Sequence, residues 1–304
     1  MLKFGLLVPT LNAGGEWASW LDAFHSQKCT PDKFIVIDSC STDKTTDLAK
    51  NSGFTVEVIA KGEFDHGGTR QFGLSLLGSV DVVVFLTQDA NLSRVESLCQ
   101  IIEPFNDAQV AAVCGRQLPR KQATPIEAHA RLYNYSPEPF SRSRKDSKQF
   151  GLKTAFLSNS FAAYRVSALR EVGGFPENVI FGEDMYVAAK FLLAGYKIAY
   201  AADACVYHSH NYSLVQEMKR YFDMGVFHAR EPWIRQQFGT AENEGLKFVI
   251  SELRYLSKHA LWRIPEGMLR TIFRYVGFRL GLIESHIPLK IKRKISMNPR
   301  YFKI

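Results

Sequence analysis

Two short groups of residues carry side chains whose types and spacing suit a phosphate-bearing ligand and a metal ion. In His66-Gly67-Gly68-Thr69-Arg70 the paired glycines let the backbone approach a ligand closely, and the arginine supplies a planar fork of donors. The second group, Thr87-Gln88-Asp89, ends an apolar run. One carboxylate can hold a cation such as Mg²⁺ when substrate phosphates supply further oxygens. Together the groups predict a site for a phosphate-bearing ligand and a divalent metal.

Arg70 stands at the predicted start of a helix, where a cation opposes the helix dipole. A cation in that place needs an anionic partner, and helix N-terminal amides with an arginine suit a diphosphate. We therefore predict that residues 66–70 contact the phosphates of a ligand. A tight glycine turn without a ligand is the alternative.

Two further groups offer a base and metal ligands. Glu183 and Asp184 precede a predicted helix, where acidic residues commonly serve only the helix dipole. A carboxylate beside a bound sugar could instead take the proton of an attacking hydroxyl, and the spacing leaves both interpretations open. His208 and His210 follow a strand-like run. Histidines there are often structural, but with Asp89 either could ligate a metal or a phosphate.

Small polar side chains close the first two predicted strands. Pro9, Thr10 and Asn12 end the first strand, and Asp38 and Ser41 end the second. At adjacent strand ends such groups can hydrogen-bond the edge of a pyrimidine and a ribose. Turn and helix-cap chemistry is the alternative for each of them.

The elements that must position these groups alternate between strands and helices. Apolar runs that end in polar clusters predict strands, and helical spacing separates them. We predict strands at 2–9, 34–38, 55–59, 81–87 and 197–200, and helices at 45–50, 69–78 and 185–194. This order predicts an α/β fold with a doubly wound, mainly parallel sheet. Residues 118–150 contain several prolines and basic residues, which predict a mobile or acceptor-facing segment.

Positive charge is concentrated at the C-terminal end of the chain. The 304 residues carry a formal net charge of +8. From Leu246 onward thirteen Lys or Arg stand against three Glu, so this tail carries +10 and the preceding 245 residues carry −2. Apolar residues at helical spacing predict that the tail lies in the plane of an anionic membrane, through Trp262, Phe273 and residues 290–294. A basic face packed on the rest of the protein is the alternative.

Three features concern the surroundings of the chain. No apolar stretch approaches the roughly 20 residues that a membrane-spanning helix needs. The N-terminal apolar run is too short for a signal sequence, which favours a first strand. Five scattered cysteines without a C-x-x-C pair predict reduced thiols in a cytoplasm.

In sequence order these motifs resemble those of the inverting, GT-A-fold glycosyltransferases of family 2. The resemblance rests on segments 8–10, 38–45, 66–70, 87–90, 174–176, 183–184 and 195–198. Within that family, segments 66–70, 88–90, 158–165 and 208–212 are similar to those of bacterial rhamnosyltransferases of O-antigen assembly. The similarity extends to about residue 285.

The resemblance implies an α/β GT-A fold over residues 1–245, with a Rossmann-like nucleotide-sugar-binding half at 1–117 and an acceptor-binding half at 118–245. Residues 246–304 would form the helical, basic, membrane-associating appendage. The implied reaction transfers L-rhamnose from dTDP-β-L-rhamnose to a sugar linked to undecaprenyl diphosphate, with inversion. The implied location is peripheral, on the cytoplasmic face of the bacterial inner membrane.

The resemblance also implies roles for single residues. Asp38 would face the pyrimidine and Arg70 the diphosphate, while Asp89 would be the metal-binding carboxylate, with Thr87 in place of the family's first Asp. Asp184 matches the catalytic base, and Glu183 is the second choice. Donor contacts are assigned to Pro9, Thr10, Asn12, Asp38, Ser41, His66, Gly67, Gly68, Arg70, Gln88 and Asp89. Mg²⁺ or Mn²⁺ is assigned to Asp89, His208 and His210, and acceptor contacts to Asn159 and Trp233.

Two other functions fit parts of the sequence. A family 2 transferase with a UDP-hexose donor would share the sheet and the metal site and differ in the pocket lining. A basic protein can also bind nucleic acid. The position of the charge in a helical tail without a nucleic-acid-binding motif disfavours that class, and we expect no nucleic-acid partner.

Overall fold

The computed structural model describes residues 2–239 and 244–302, and a nine-stranded sheet forms the centre of that part of the chain. The strands are β1 (Phe4–Thr10), β2 (Lys33–Asp38), β3 (Thr55–Val58), β4 (Val82–Leu86), β5 (Asn91–Leu92), β6 (Val110–Leu118), β7 (Phe140–Arg142), β8 (Phe161–Arg165) and β9 (Lys197–Tyr207).

Helices cover both faces of this sheet, which is why its central strands are apolar without interruption. The helices are α1 (Trp17–His25), α2 (Thr45–Asn51), α3 (His66–Leu77), α4 (Ser97–Ile102), α5 (Pro125–Asn134), α6 (Ser147–Phe150), α7 (Val166–Glu171), α8 (Glu183–Leu193), α9 (Leu214–Arg230), α10 (Pro232–Phe238), α11 (Glu244–His259), α12 (Ile264–Leu282) and α13 (Leu289–Ile295). Successive residues point to opposite faces, so Leu7 and Phe85 enter one core while Leu6 and Val84 enter the other.

The strand order is β3-β2-β1-β4-β8-β6-β9-β5, and β7 pairs with β9. β1 runs parallel to β2 and β4, while β8 runs antiparallel to β4 and β6. The expected doubly wound, mainly parallel sheet is confirmed. The carboxyl ends of β1, β2, β4, β6 and β9 and the start of β8 therefore meet at one edge, where a site can be assembled.

The segment 118–150 is folded, although its composition suggested a mobile segment. Thr124 caps α5 by accepting a hydrogen bond from the backbone N–H of Glu127, and Pro125 occupies the first turn. Ile126 is fully buried against Leu256 of α11. This packing makes a helix of a stretch whose prolines suggested a loop.

The tail packs closely on the rest of the chain through α12 and α9. A Cβ on Gly277 would clash with the carbonyl oxygen of Met218, and one on Gly281 would clash with that of Phe222. The crossing therefore requires glycine at both positions. Beside it, the buried carboxylate of Glu217 accepts hydrogen bonds from Arg270 and Arg274 of α12.

The cysteine expectation needs a correction. Cys29 and Cys99 form a disulfide with an S–S distance of 2.02 Å, so the prediction of reduced thiols is wrong for this pair. Tertiary packing brings them together: the backbone N–H of Lys28 donates to the carbonyl of Val95, 2.8 Å away. Their sequence spacing carries no signal of that approach. Cys40, Cys114 and Cys205 are free thiols.

None of the helices within residues 2–239 and 244–302 is long and apolar enough to cross a bilayer.

Candidate active site

Asp89, His208 and His210 come together at the carboxyl edge of the sheet. Asp89 follows β4, and the two histidines follow β9. Oδ2 of Asp89 lies 3.4 Å from Nε2 of His208 and 3.5 Å from Nε2 of His210. One ligand atom from each residue lies within 4.8 Å of the others, so the three could hold a single metal ion.

Gln117, at the end of β6, fixes the orientation of His208. Its Oε1 accepts hydrogen bonds from Nη1 of Arg131 at 2.9 Å and from Nδ1 of His208 at 2.8 Å, while its Nε2 donates to Ser158. With the proton on Nδ1, Nε2 of His208 presents a lone pair toward Asp89. A lone pair facing a carboxylate is an arrangement that a bound cation satisfies.

The protonation states of the three residues also suit a metal. Burial lowers the pKa of His208 despite the opposing charge of Asp89, and burial with the charge of His208 lowers the pKa of His210 to about 4. Burial alone would raise the pKa of Asp89, but its polar surroundings, above all His208 and then Thr87 and His210, hold it well below its usual range. At neutral pH the set is one carboxylate and two neutral imidazoles, a fitting donor set for a divalent metal.

Arg70 and Glu183 form a buried ion pair beside this edge. Nη1 of Arg70 lies 3.1 Å from Oε1 of Glu183, and the two residues are each 5% exposed. The same oxygen of Glu183 accepts a hydrogen bond from Nδ2 of Asn159, whose Oδ1 accepts from the hydroxyl of Tyr164. The anion that the position of Arg70 requires is therefore supplied within the protein by Glu183. A contact between Arg70 and a diphosphate stays a prediction.

Asp184 differs from Glu183 in being partly exposed and free of any ion pair among the described residues. Its carboxylate accepts hydrogen bonds from the backbone N–H groups of Asn159 and Met185 at 3.2 and 2.8 Å. Burial of the carboxylate and the adjacent charge of Glu183 raise the pKa of Asp184 to about 7. A carboxylate with that pKa and an open face can act as a general base near neutral pH.

The paired glycines serve packing. A Cβ on Gly67 would clash with the carbonyl oxygen of Pro176, in the turn that follows β8 and α7. Gly68 donates its N–H to the side chain of Asp65, which caps α3. The helix therefore begins at His66 rather than at 69, and its first turn presses against protein. A ligand contact for these glycines and for His66 stays a prediction.

The polar groups at the ends of β1 and β2 bind one another. Asp38 is 1% exposed and accepts hydrogen bonds from the hydroxyls of Thr10 and Ser41. The backbone N–H of Asn12 donates to Oγ of Ser41, and Asn12 holds a left-handed φ of 46°. Pro9 lies in the parallel pairing of β1 with β2. These contacts brace two strand ends, and the nucleotide contacts assigned to these residues stay predictions.

Gln88 joins the loop after β4 to the loop after β1. Its side-chain amide accepts from the N–H of Leu11 at 2.8 Å and donates to the carbonyl of Leu11 at 3.1 Å. This two-bond clamp sets the spacing between the first strand end and Asp89. A direct contact between Gln88 and the nucleotide-sugar donor stays a prediction.

The two residues assigned to the acceptor lie in different surroundings. Asn159 is 3% exposed and its side chain is committed to Glu183 and Tyr164. Trp233 on α10 is partly exposed, donates to Glu231 and packs edge-on against Tyr186, two residues beyond Asp184. Both acceptor assignments stay predictions.

Two arginines near the edge were not singled out from sequence. Arg120 donates to the carbonyl oxygen of Asp89 and pairs with Glu16. Arg220 on α9 lies over the rings of Phe181 and Tyr212 and has no carboxylate partner among the described residues. The ring of Tyr212 stacks on His210 with ring centres 5.0 Å apart, so one aromatic ring separates Arg220 from a candidate metal ligand. Gln117, Arg120 and Arg220 carry no local motif, so only the fold reveals them.

Comparison with known sequences decides the family. The sequence model of Glycosyl transferase family 2 matches residues 6–173, more than half of the chain. The chain belongs to glycosyltransferase family 2. This family 2 transferase is 48% identical over 303 residues to the O-antigen chain rhamnosyltransferase WbaN of Salmonella anatum, covering 99% of this chain and 96% of that protein. It is 46% identical to the O-antigen chain rhamnosyltransferase RfbN of Salmonella typhimurium, with the same coverage.

Solved structures of other transferases share the fold. The mannosyltransferase PcManGT from Pyrobaculum calidifontis, in complex with GDP-Man and Mn²⁺, matches this family 2 enzyme with a TM-score of 0.65 at 18% identity, over 94% of this chain and 88% of that one. S. aureus TarS 1-349 with UDP-GlcNAc matches with a TM-score of 0.56 at 15% identity, over 93% and 91%. The expected GT-A fold is thereby confirmed.

Proposed function

We propose that this glycosyltransferase moves L-rhamnose from dTDP-β-L-rhamnose to a sugar on undecaprenyl diphosphate, with inversion at the anomeric carbon. The close relatives support the sugar, since both are named O-antigen chain rhamnosyltransferases and match nearly the whole chain. One observation carries the mechanism: adjacent carboxylates have opposite surroundings, so that Glu183 is a buried ion-paired anion and Asp184 a partly exposed base.

Asp184 is the base in this proposal. It takes the proton of the acceptor hydroxyl as that oxygen forms a bond to the anomeric carbon of rhamnose. The bond from this carbon to the diphosphate oxygen breaks on the opposite face, and both electrons leave with the nucleotide diphosphate. The sugar gains oxocarbenium character in the transition state, where both bonds are partly formed. A single displacement gives the inverted product.

Cationic side chains offset the charge that grows on the leaving diphosphate. Arg220 is suited to this, because it lies over Tyr212, which stacks on His210, and has no carboxylate partner among the described residues. Arg120 is next to the backbone of Asp89 but shares its charge with Glu16. Arg70 acts indirectly, because its ion pair holds Glu183 in place next to Asp184.

Asp89, His208 and His210 would hold the divalent metal. When bound there, the metal supplies positive charge to the diphosphate oxygens. Two imidazoles and one carboxylate favour Mn²⁺ over Mg²⁺, because Mg²⁺ prefers an all-oxygen set while imidazole nitrogen suits softer metals. The complex of PcManGT with GDP-Man and Mn²⁺ supports a divalent metal in this fold.

Asp184→Asn tests the base. General-base catalysis is worth about 10²–10⁴-fold, so turnover should fall by that factor while dTDP-rhamnose still binds by calorimetry. Asp203→Asn, at an exposed carboxylate paired with Arg94, is the matched control and should leave turnover unchanged. Near-normal turnover of Asp184→Asn would remove Asp184 as the base.

A donor screen tests the sugar nucleotide. Thermal unfolding is measured with dTDP-rhamnose, dTDP, UDP-galactose and UDP-N-acetylglucosamine, each with and without Mn²⁺. Stabilisation by the dTDP compounds that grows with Mn²⁺ supports the proposal. A preference for a UDP-sugar would keep Asp184 and the metal site but replace the donor.

The tail suits an anionic membrane, and we place the enzyme on the cytoplasmic face of the inner membrane. Apolar side chains of α12 and the turn before it face outward: Trp262 is 76% exposed, Ile272 56% and Tyr275 61%. Seven tail cations have no carboxylate partner among the described residues, namely Arg254, Lys258, Arg279, Lys290, Arg293, Lys294 and Arg300. Exposed apolar groups among free cations are the features of an interfacial helix.

A further inference from the structure

A cavity of about 560 Å³ lies between α5 and α11 and shares no lining residue with the candidate active site. His129 and Tyr133 line it from α5, and Arg254, Tyr255 and Lys258 line it from α11. A cavity of that volume is within the range of small-ligand sites. The proposed reaction uses none of these residues.

The charge in the cavity is positive and uncompensated. Arg254 and Lys258 stand four residues apart on one face of α11, where like charges repel. Neither has a carboxylate partner among the described residues, and none of the ten residues that line the cavity is acidic. Lys258 lies in the last turn of α11, where the helix dipole favours a cation, but Arg254 lies a turn earlier. An anion between the two side chains would offset their repulsion.

His129 forms part of the wall of the same cavity. The residue is 3% exposed, and its Nε2 lies 2.9 Å from Oγ of Ser251. Its Nδ1 is buried and has no hydrogen-bond partner within residues 2–239 and 244–302. That atom is closed off from the cavity as well as from solvent, so the contacts to an anion would come from Arg254 and Lys258. The rings of Tyr133 and Tyr255 flank His129 at 5.8 and 5.4 Å, and add flat apolar surface beside the cations.

The cavity adjoins the outward-facing apolar residues of the tail. α11 ends at His259, and Leu261 and Trp262, 64% and 76% exposed, follow directly. A headgroup in the cavity would therefore belong to a lipid whose chains lie beside these two side chains.

We propose that the cavity between α5 and α11 binds the phosphate of a membrane-lipid headgroup through Arg254 and Lys258. The inference deepens the membrane part of the proposed function and rests on it. Two lipid phosphates share the required chemistry, the single phosphate of a glycerophospholipid and the diphosphate of the lipid-linked acceptor.

The test compares two double variants of the full-length enzyme that remove equal charge. Arg254→Gln with Lys258→Gln changes the cavity, while Arg279→Gln with Lys290→Gln changes exposed tail cations outside it. Sedimentation is measured with vesicles of phosphatidylcholine alone, with added phosphatidylglycerol, and with added undecaprenyl diphosphate. Calorimetry with inorganic pyrophosphate, in the presence of saturating dTDP to occupy the donor site, reads the cavity without a membrane.

We expect the cavity variant to lose about tenfold more affinity for phosphate-bearing vesicles than its control, since paired charged hydrogen bonds outweigh diffuse attraction. Equal loss with phosphatidylglycerol and undecaprenyl diphosphate supports a glycerophospholipid site, and loss confined to undecaprenyl diphosphate supports an acceptor site. Equal loss in both double variants, with unchanged pyrophosphate binding, would overturn the proposal. A last outcome is that the wild type binds none of the vesicles, while pyrophosphate binding is lost only in the cavity variant. The phosphate site would then be supported and the membrane role would be refuted.

Discussion

The charge of Glu183 is held in place by Arg70 and acts on its neighbour Asp184. Burial of Glu183 would by itself favour its neutral form, but Arg70 and the hydrogen bond from Asn159 lower the pKa of Glu183 below its ordinary value. The retained negative charge then raises the pKa of Asp184. One buried ion pair thus tunes a base that the substrate can reach.

This arrangement predicts a pH dependence. Asp184 must be ionised to act, so kcat/KM should rise as pH increases through about 7, the pKa of Asp184. Glu183→Gln removes the neighbouring charge, which lowers the pKa of Asp184 and moves the limb of the profile to lower pH. The exposed Glu177→Gln is the control and should leave the limb in place.

Loss of one partner from the buried pair costs stability, on the order of 3–5 kcal/mol. The profile is therefore also measured on Arg70→Met with Glu183→Gln, which removes both charges and leaves no unpaired one. If the rise of kcat/KM stays near neutral pH in both variants, the charge of Glu183 does not set the pKa of Asp184.

The metal site yields a second prediction for single residues. Gln117→Leu removes the acceptor of the Nδ1–H of His208 and should weaken Mn²⁺ binding about 10–100-fold, the usual effect of losing such a partner. Ser158→Ala removes a different partner of Gln117 and spares its contacts with His208 and Arg131. Calorimetry with Mn²⁺ should find Ser158→Ala near wild type. Equal weakening in both would assign the effect to the fold around β6.

Local sequence patterns identified some of these residues and missed others for a physical reason. The position of Arg70 at a helix start correctly required an anion, but the anion is Glu183, which the fold brings from a distant segment. Gly67 allows the close approach of the carbonyl of Pro176, and a ligand contact for the paired glycines stays a prediction. Contacts between remote segments leave no mark on local spacing.

At the level of elements, the alternation of strands and helices was readable from apolar periodicity. The ends of the elements were harder to predict from the sequence. α3 begins at His66 because Asp65 caps it, and α8 begins at Glu183 after Gly182, which has a left-handed conformation. β9 runs to Tyr207 rather than to 200, because a register shift against β6 interrupts its apolar pattern. The cap of α5, Thr124 before Pro125, was a usable signal that the prolines of that segment obscured.

The crossing of α12 over α9 gives a prediction for an element. Gly277→Ala places a methyl group against the carbonyl of Met218, a backbone atom that cannot move aside, and should cost about 1–3 kcal/mol of unfolding free energy. Gly245→Ala in α11 meets nothing within 4 Å and should gain up to about 1 kcal/mol from helix propensity. Urea unfolding measures both. A stable Gly277→Ala would show that α12 does not pack as described.

For the whole molecule, the tail divides its charges between two tasks. Arg270 and Arg274 are buried against Glu217 and Glu252, where they hold α12 to the rest of the chain. The total of +10 therefore overstates the charge available to a partner. The alternative of a tail packed on the protein describes one face of α12. The opposite face is apolar and exposed, and its binding to a membrane stays a prediction.

The exposed face predicts how the protein meets a membrane. Trp262 and Ile272 are exposed, whereas Trp17 and Trp20 are fully buried, so binding to phosphatidylglycerol vesicles should shift tryptophan emission to shorter wavelength mainly through Trp262. Trp262→Ser with Ile272→Ser should weaken vesicle binding by about 3–6 kcal/mol, since full burial of each large apolar side chain is worth about 1.5–3 kcal/mol. Neither residue packs in the described cores, so unfolding stability should be unchanged.

Val58→Ser is the control for this experiment, because Val58 is 57% exposed on β3 at the far edge of the sheet. It removes an exposed apolar side chain outside the tail and should bind vesicles like the wild type. Binding that persists in the Trp262 and Ile272 variant but disappears at high salt would leave electrostatic attraction as the whole interaction. The apolar face of α12 would then need another partner, because a contiguous exposed apolar surface commonly marks an interaction site.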